Sequence, residues 1–169
     1  MKLKPAIFKI NCFCKSSWIN YNTLHVYNSG ICLSVSTDKT NWSSAQIRCQ
    51  SLEKIGYLAT EFSKDKHDFI QSIVLNSTGS NTDYHIGLTF VNMNWYWQQP
   101  IYQPLLPLTN QDYSGWSRGW PPKSGVTKSG VANMVGDNEV VGWQNINPNN
   151  EKKYYVCETL PCDTDNYCS

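Results

Sequence analysis

Gly115, Ser117 and Gly119 stand at the G-x-S-x-G spacing of a nucleophile elbow, in which a sharp turn from strand to helix exposes a reactive serine. That chemistry needs a helix directly after the serine, and an acid and a histidine that follow it in the chain. Neither is written here. Pro121 has no N–H to give the Ser117 carbonyl, Pro122 extends the break, and the three histidines, His25, His67 and His85, all precede Ser117. A trypsin-like order of His, Asp and Ser stays formally open, but the residues around Ser117 do not resemble that family's serine motif. We therefore assign no catalytic residues and expect a protein that is not an enzyme.

The seven cysteines are the next groups that could organise a site. Cys12, Cys14, Cys162 and Cys168 could cage zinc if the termini meet. Against that, seven tryptophans and ten tyrosines accompany the cysteines in 169 residues, and no histidine lies near a cysteine cluster in sequence. This composition favours an oxidised, extracellular domain, secreted or part of a membrane protein's ectodomain, whose cysteines pair with one another. The net charge of +1 offers no pull towards nucleic acid or an anionic membrane, and the apolar runs are too short for membrane insertion. The opening "MKLKPAIFKINCFC" has the lysines of a signal peptide, but Pro5 and Lys9 interrupt its apolar stretch. It reads as a mature or excised segment whose export is inferred from its cysteines. Sequons at Asn41 and Asn76 agree with secretion.

Two helices must position whatever these residues do. Thr40 or Asn41 can cap "NWSSAQIRCQSL", where Trp42, Ala45, Cys49 and Leu52 recur at helical spacing and put Cys49 on the buried face. A second helix starts at Ser63 with Asp65 in its first turn, buries Ile70, Ile73 and Val74, and leaves His67 on a polar face. It should end in "NSTGSNTD", which places Asn76 in a turn. Short β segments follow in "YHIGLTF", "NWYWQ", "EVVGW" and "KKYYVCE". Between them, residues 98–131 interleave prolines and glycines with serines and aromatics. Tyr102, Tyr113, Trp116 and Trp120 give this stretch enough apolar surface to be an ordered loop and not a linker.

The order of these features resembles the C-type lectin-like domain, from Cys14 to Glu158. "CKSSW" leads to "GICLSVS", and "WSSAQIRC" is similar to the family's W-x-x-A-x-x-x-C. "GYLAT", "HIGL" and "WYW" resemble its G-H-L-x-T, W-I-G-L and W-x-W. "YSGWSRGWPP" stands at its Glu-Pro-Asn loop, and "GWQNINPNNEKKYYVCE" resembles W-N-D through the closing cysteine. The resemblance implies an α+β fold, two helices flanking two small antiparallel sheets with a long ligand loop. It implies a domain over 14–158, an amino-terminal extension over 1–13 and a cysteine-bearing tail over 159–169. It also implies that Cys49 pairs with Cys157, and Cys14 with Cys32 in the amino-terminal hairpin of the family's longer form. The family's second core disulfide is replaced by Ala132 (or Asn133) and Pro148. Cys12, Cys162 and Cys168 are left over, so one of them, Cys168 foremost, could be free or link to another chain.

Sugar-binding members of the family hold Ca²⁺ through acids and amides, because the ion takes six to eight oxygens, several of them anionic. The matching positions here are Trp120, Pro122, a residue near Gly130, Gln144 and Asn145, which offer two neutral amides. Asp112 is the only acid between 98 and 131, and Asp137 and Glu139 read as a solvated turn. The expectation is therefore no cofactor and no metal, calcium included. Tyr102 and Trp120 as stacking faces, Arg118 as a donor fork, and Gln144 and Asn145 as amides suit a protein ligand or a glycan. Trp95, Trp97, Trp116 and Trp143 match core positions of the family. Pro121 stands where the family keeps a cis-proline. The leading expectation is a recognition module that works without the family calcium site. The alternatives are a carbohydrate-binding lectin, calcium-independent or with a relocated metal, and a structural domain of a larger extracellular protein.

Overall fold

The structure, a computed structural model, describes residues 14–21, 30–53, 55–109, 113–122, 129–135 and 141–160. Cys12, His25, Asp112, Asp137, Glu139, Cys162 and Cys168 lie outside the described residues, as do the extension expected at 1–13 and, of the tail expected at 159–169, all but Thr159 and Leu160. The elements run β1 (Ile19–Tyr21), β2 (Ile31–Val35), α1 (Trp42–Leu52), β3 (Tyr57–Leu58), α2 (Lys64–Thr78), β4 (Tyr84–Val91), β5 (Asn94–Trp97), β6 (Leu106–Pro107), β7 (Gly130–Met134), β8 (Gly142–Ile146) and β9 (Tyr154–Thr159). No helix among the described residues is long and apolar enough to cross a membrane.

Both helices begin where their caps are written. The Asn41 side chain accepts from the Ser44 N–H at 2.8 Å, and the Ser63 hydroxyl accepts from the Lys66 N–H at 3.2 Å. Asn41 also donates its side-chain N–H to the Asn149 carbonyl. Asn76 is exposed within the last turn of α2 and not in the turn after it, because the helix runs on to Thr78 before Gly79 caps it. In α1, Trp42, Ala45 and Cys49 face the core as their spacing predicts, and the Trp42 indole donates to the Ile86 carbonyl at 2.8 Å. Leu52 does not follow them: it ends the helix and is 55% exposed. α2 buries Ile70, Ile73 and Val74, and also Lys66 and His67. The polar face expected for His67 is thus corrected, for a reason given below.

The two expected sheets are contiguous through β9. Its outer half pairs antiparallel with β2 and β3, while Tyr154 and Tyr155 pair parallel with Tyr84 and His85 of β4. β4 then pairs with β5 and β7, β5 with β6, and β7 with β8. β6 lies inside the stretch expected as loop, and "EVVGW" becomes strand only from Gly142. Cys14 is bonded to Cys32 and Cys49 to Cys157, each with a Cα separation near 5.5 Å or below (5.5 and 5.3 Å).

The core gathers Tyr84, Ile86, Leu88, Trp97, Val131, Trp143 and Val156 against Ile70, Ile73 and Val74 of α2. Two carboxylates enter it. Glu158 accepts from Lys66 Nζ at 2.7 Å, from the Tyr57 hydroxyl at 2.8 Å, and from the Thr60 N–H and hydroxyl. Burial and then the Glu158 charge hold the Tyr57 phenol protonated well above its ordinary range. The second carboxylate, Glu61, is bonded to His67, Tyr84 and Trp143.

Candidate ligand-binding face

The base of the long loop is fastened to β8 by main-chain bonds on either side of Trp143. The Trp143 N–H donates to the Gly115 carbonyl at 2.7 Å, and the Ser117 N–H donates to the Trp143 carbonyl at 3.1 Å. Two glycines allow this approach. A Cβ on Gly115 would lie 2.7 Å from the Trp143 indole, and Gly142, at φ 116°, would bring one to 2.5 Å from the Gly115 carbonyl oxygen. Ser117 is 2% exposed, and its hydroxyl donates to the Val141 carbonyl at 2.9 Å. The serine of the G-x-S-x-G spacing therefore holds two strands of backbone together instead of facing solvent.

Aromatic rings fill the space beneath. Trp116 meets Trp95 at 4.8 Å and Trp143 at 5.7 Å between centroids, and Trp143 meets Trp97 at 5.3 Å and Tyr113 at 5.6 Å. Trp97 and Trp143 are buried and Trp95 and Trp116 pack partly buried against them, which is the core role expected of all four. Tyr113 also lies 5.4 Å from the His67 ring. Burial, with the Glu61 and Asp68 charges behind it, pushes the Tyr113 phenol up to about 12. His85, expected to pack, is buried in β4 with Nε2 against the Thr40 carbonyl at 2.9 Å.

Above this floor the chain turns at Ser117–Trp120, closed by the Trp120 N–H on the Ser117 carbonyl at 2.9 Å, and the Trp120–Pro121 bond is cis. The turn exposes Arg118 and leaves Trp120, Pro121 and Pro122 half-buried. Tyr102, on a separate turn closed by the Gln103 N–H on the Pro100 carbonyl, is 90% exposed. Gln144 is half-buried in β8. Asn145, also expected among the ligand-binding amides, is 3% exposed and paired with Val131 in the β7–β8 ladder.

With this architecture in view, the chain matches the Lectin C-type domain over residues 38–159. The chain belongs to the C-type lectin domain family. Curated relatives include C-type lectin domain-containing protein 160 of Caenorhabditis elegans, 23% identical over 99% of this chain, and the CD209 antigen of Pongo pygmaeus, 30% identical over 76% of it. The chain spans about a quarter of those relatives' length, 27% and 28%. Among solved structures, human lithostathine superposes with a TM-score of 0.65 at 19% identity, covering 95% of this chain and 96% of that one. CEL-I of Cucumaria echinata gives 0.66 at 14%, covering 86% and 96%. The cow carbohydrate-recognition domain of CD23, solved in the presence of a GlcNAc2Man3 oligosaccharide, gives 0.63 at 21%, covering 88% and 97%. These likenesses establish the fold of the lectin domain.

The family's metal position can be tested against the donors present. Trp120 and Pro122 bring no side-chain oxygen, the described residues beside Gly130, Ser129 and Val131, bring no acid, Gln144 brings a neutral amide, and the amide of Asn145 is buried. Such a set does not fit an ion that takes six to eight oxygens with anionic character. Among the described residues no group of three or more His, Cys, Asp or Glu side chains converges on a point that could hold a metal.

The Glu61 and His67 pair is what sequence reasoning missed. Glu61 stands in "YLATEFS" between Thr60 and Phe62, and an acid following the apolar Tyr57–Ala59 was the signal available. Its partner six residues on could not be seen from helical periodicity, because the contact joins α2 to the segment before it.

Proposed function

We propose that this C-type lectin domain is a non-enzymatic, extracellular recognition module that binds a protein or glycan ligand through the 98–131 face without Ca²⁺ at the family position. The observation that carries the reading is the character of that rim. A half-buried Trp120 stands at a position where a metal-using relative would need an acid or amide, and the same 98–131 stretch carries an almost fully exposed Tyr102 and an exposed Arg118. Aromatic and guanidinium groups of this kind dominate binding energy at interfaces. Export is supported by two disulfides of ordinary geometry.

A calcium titration followed by thermal unfolding tests the metal half of this reading. No rise in melting temperature is expected up to millimolar Ca²⁺, and a saturable rise overturns it. For the face itself, Tyr102→Ala and Arg118→Ala should abolish the binding seen on a glycan array run in chelator, or to a panel of extracellular proteins, with no change in unfolding midpoint. Binding that survives both substitutions places the ligand elsewhere. The glycan alternative is supported by the exposed Tyr102 ring, which offers a stacking surface.

A further inference from the structure

Glu61 is wholly buried, and its carboxylate accepts three hydrogen bonds: from the Tyr84 hydroxyl at 2.8 Å, from His67 Nδ1 at 2.7 Å and from the Trp143 indole N–H at 2.5 Å. The direction of two of these is set from behind. Asn133 Nδ2 donates to the Tyr84 oxygen at 3.0 Å, so the phenol proton points at Glu61. Gln71 Nε2 donates to His67 Nε2 at 3.1 Å, which leaves Nδ1 as the ring's donor. Glu158, the other core carboxylate, is paired with the Lys66 ammonium, whereas the described partners of Glu61 are a phenol, an imidazole and an indole. An apolar side chain usually serves stability as well as a buried acid does. The reason for an acid here is sought in what it holds.

It holds Trp143 by the atom that meets the loop. The Cβ that Gly115 lacks would lie 2.8 Å from Trp143 Nε1, the same nitrogen that donates to Glu61. The backbone of Trp143 carries the two main-chain bonds to Gly115 and Ser117. An indole turned away from Glu61 would press on Gly115 and shift the Ser117–Trp120 turn, which presents Arg118 and Trp120. We propose that Glu61 is a positioning residue of the ligand face: its carboxylate fixes the Trp143 indole, and the fixed indole sets where the 113–122 segment lies. This rests on the reading of that segment as part of the ligand face.

The test is amide exchange followed by NMR on the whole chain, without ligand, for Glu61→Gln, Trp143→Phe and the double variant. Glu61→Gln should speed exchange of the Ser117 and Trp120 amides about tenfold beyond any change in β2 and β9, the worth of one hydrogen bond to a charged acceptor. It should also shift the Trp143 indole N–H resonance. Trp143→Phe should speed the same two amides, and the double variant should add nothing further. Loop amides that change only in step with β2 and β9, or effects that multiply in the double variant, overturn the proposal. If Glu61→Gln does not fold, Trp143→Phe, which leaves Glu61 its bonds to Tyr84 and His67, decides by the same comparison. A loosened loop in a protein whose Tyr102 and Arg118 variants bind normally supports the positioning role while refuting the functional reading above.

Discussion

His85 gives this domain a defined weakness to acid. Its ring is fully buried in β4, with Nε2 on the Thr40 carbonyl. Burial above all, helped by the Lys153 charge and opposed by the Thr40 and Glu151 carbonyls, lowers its pKa from 6.5 to about 4. Lys153 is itself engaged with Asp83 at 3.0 Å. As pH falls through 6.5 the unfolded chain takes up this proton, and the folded chain refuses it until about 4. Stability from this group is therefore complete above about 6.5 and drains away down to about 4, by roughly 3 kcal/mol at about 1.4 kcal/mol per decade of proton concentration. The perturbation is His85→Gln, whose amide can still donate to Thr40 but does not titrate. Urea unfolding with disulfides intact, at steps from pH 7.5 to 4, should show wild type losing about 3 kcal/mol more than the variant over that range. Carboxylates titrate in both proteins and cancel in the difference. Curves that stay parallel to within about 0.5 kcal/mol would show that folded His85 takes its proton at its ordinary pH, and the reasoning from burial would fail.

Other consequences are open to direct measurement. Replacing Cys49 and Cys157 together by alanine removes a bond spanning 108 residues and should cost about 4 to 5 kcal/mol in denaturant unfolding, against about 3 for the Cys14 and Cys32 pair, which spans 18. Gly115→Ala sets a methyl group 2.7 Å from the Trp143 indole and should lower stability by about 1 to 3 kcal/mol, with faster exchange at the Ser117 amide. Lys66→Met strands the Glu158 carboxylate in the core and should cost about 3 to 5 kcal/mol, much of it recovered by adding Glu158→Gln.

Features governed by neighbours in sequence were legible before the structure. Asn41 and Ser63 cap their helices because a cap needs only a side chain and the next turn. Within the 98–131 stretch, Tyr113 and Trp116 pack against the core as their apolar surface suggested, whereas Tyr102 is exposed. Tertiary partners were not legible. His67 sits at a polar position by periodicity, yet Glu61 draws it inward. Leu52 sits at an apolar one, yet the helix stops there and leaves it in solvent. Asn145 matched a ligand position by motif, but the β7–β8 ladder carries it into the core. The structural task of Ser117, tying the loop to Val141, depends on a chain crossing that only the fold supplies.

β9 also dictates when this molecule can exist. It is the shared neighbour of β2, β3 and β4, it holds the cysteine that reaches back to α1, and it supplies Glu158 for Lys66. During synthesis from the amino terminus, every one of those partners is made first and must wait. Folding of this domain therefore waits until β9 has been made, and a chain that stops before Tyr154 lacks the strand that joins β2 and β3 to β4.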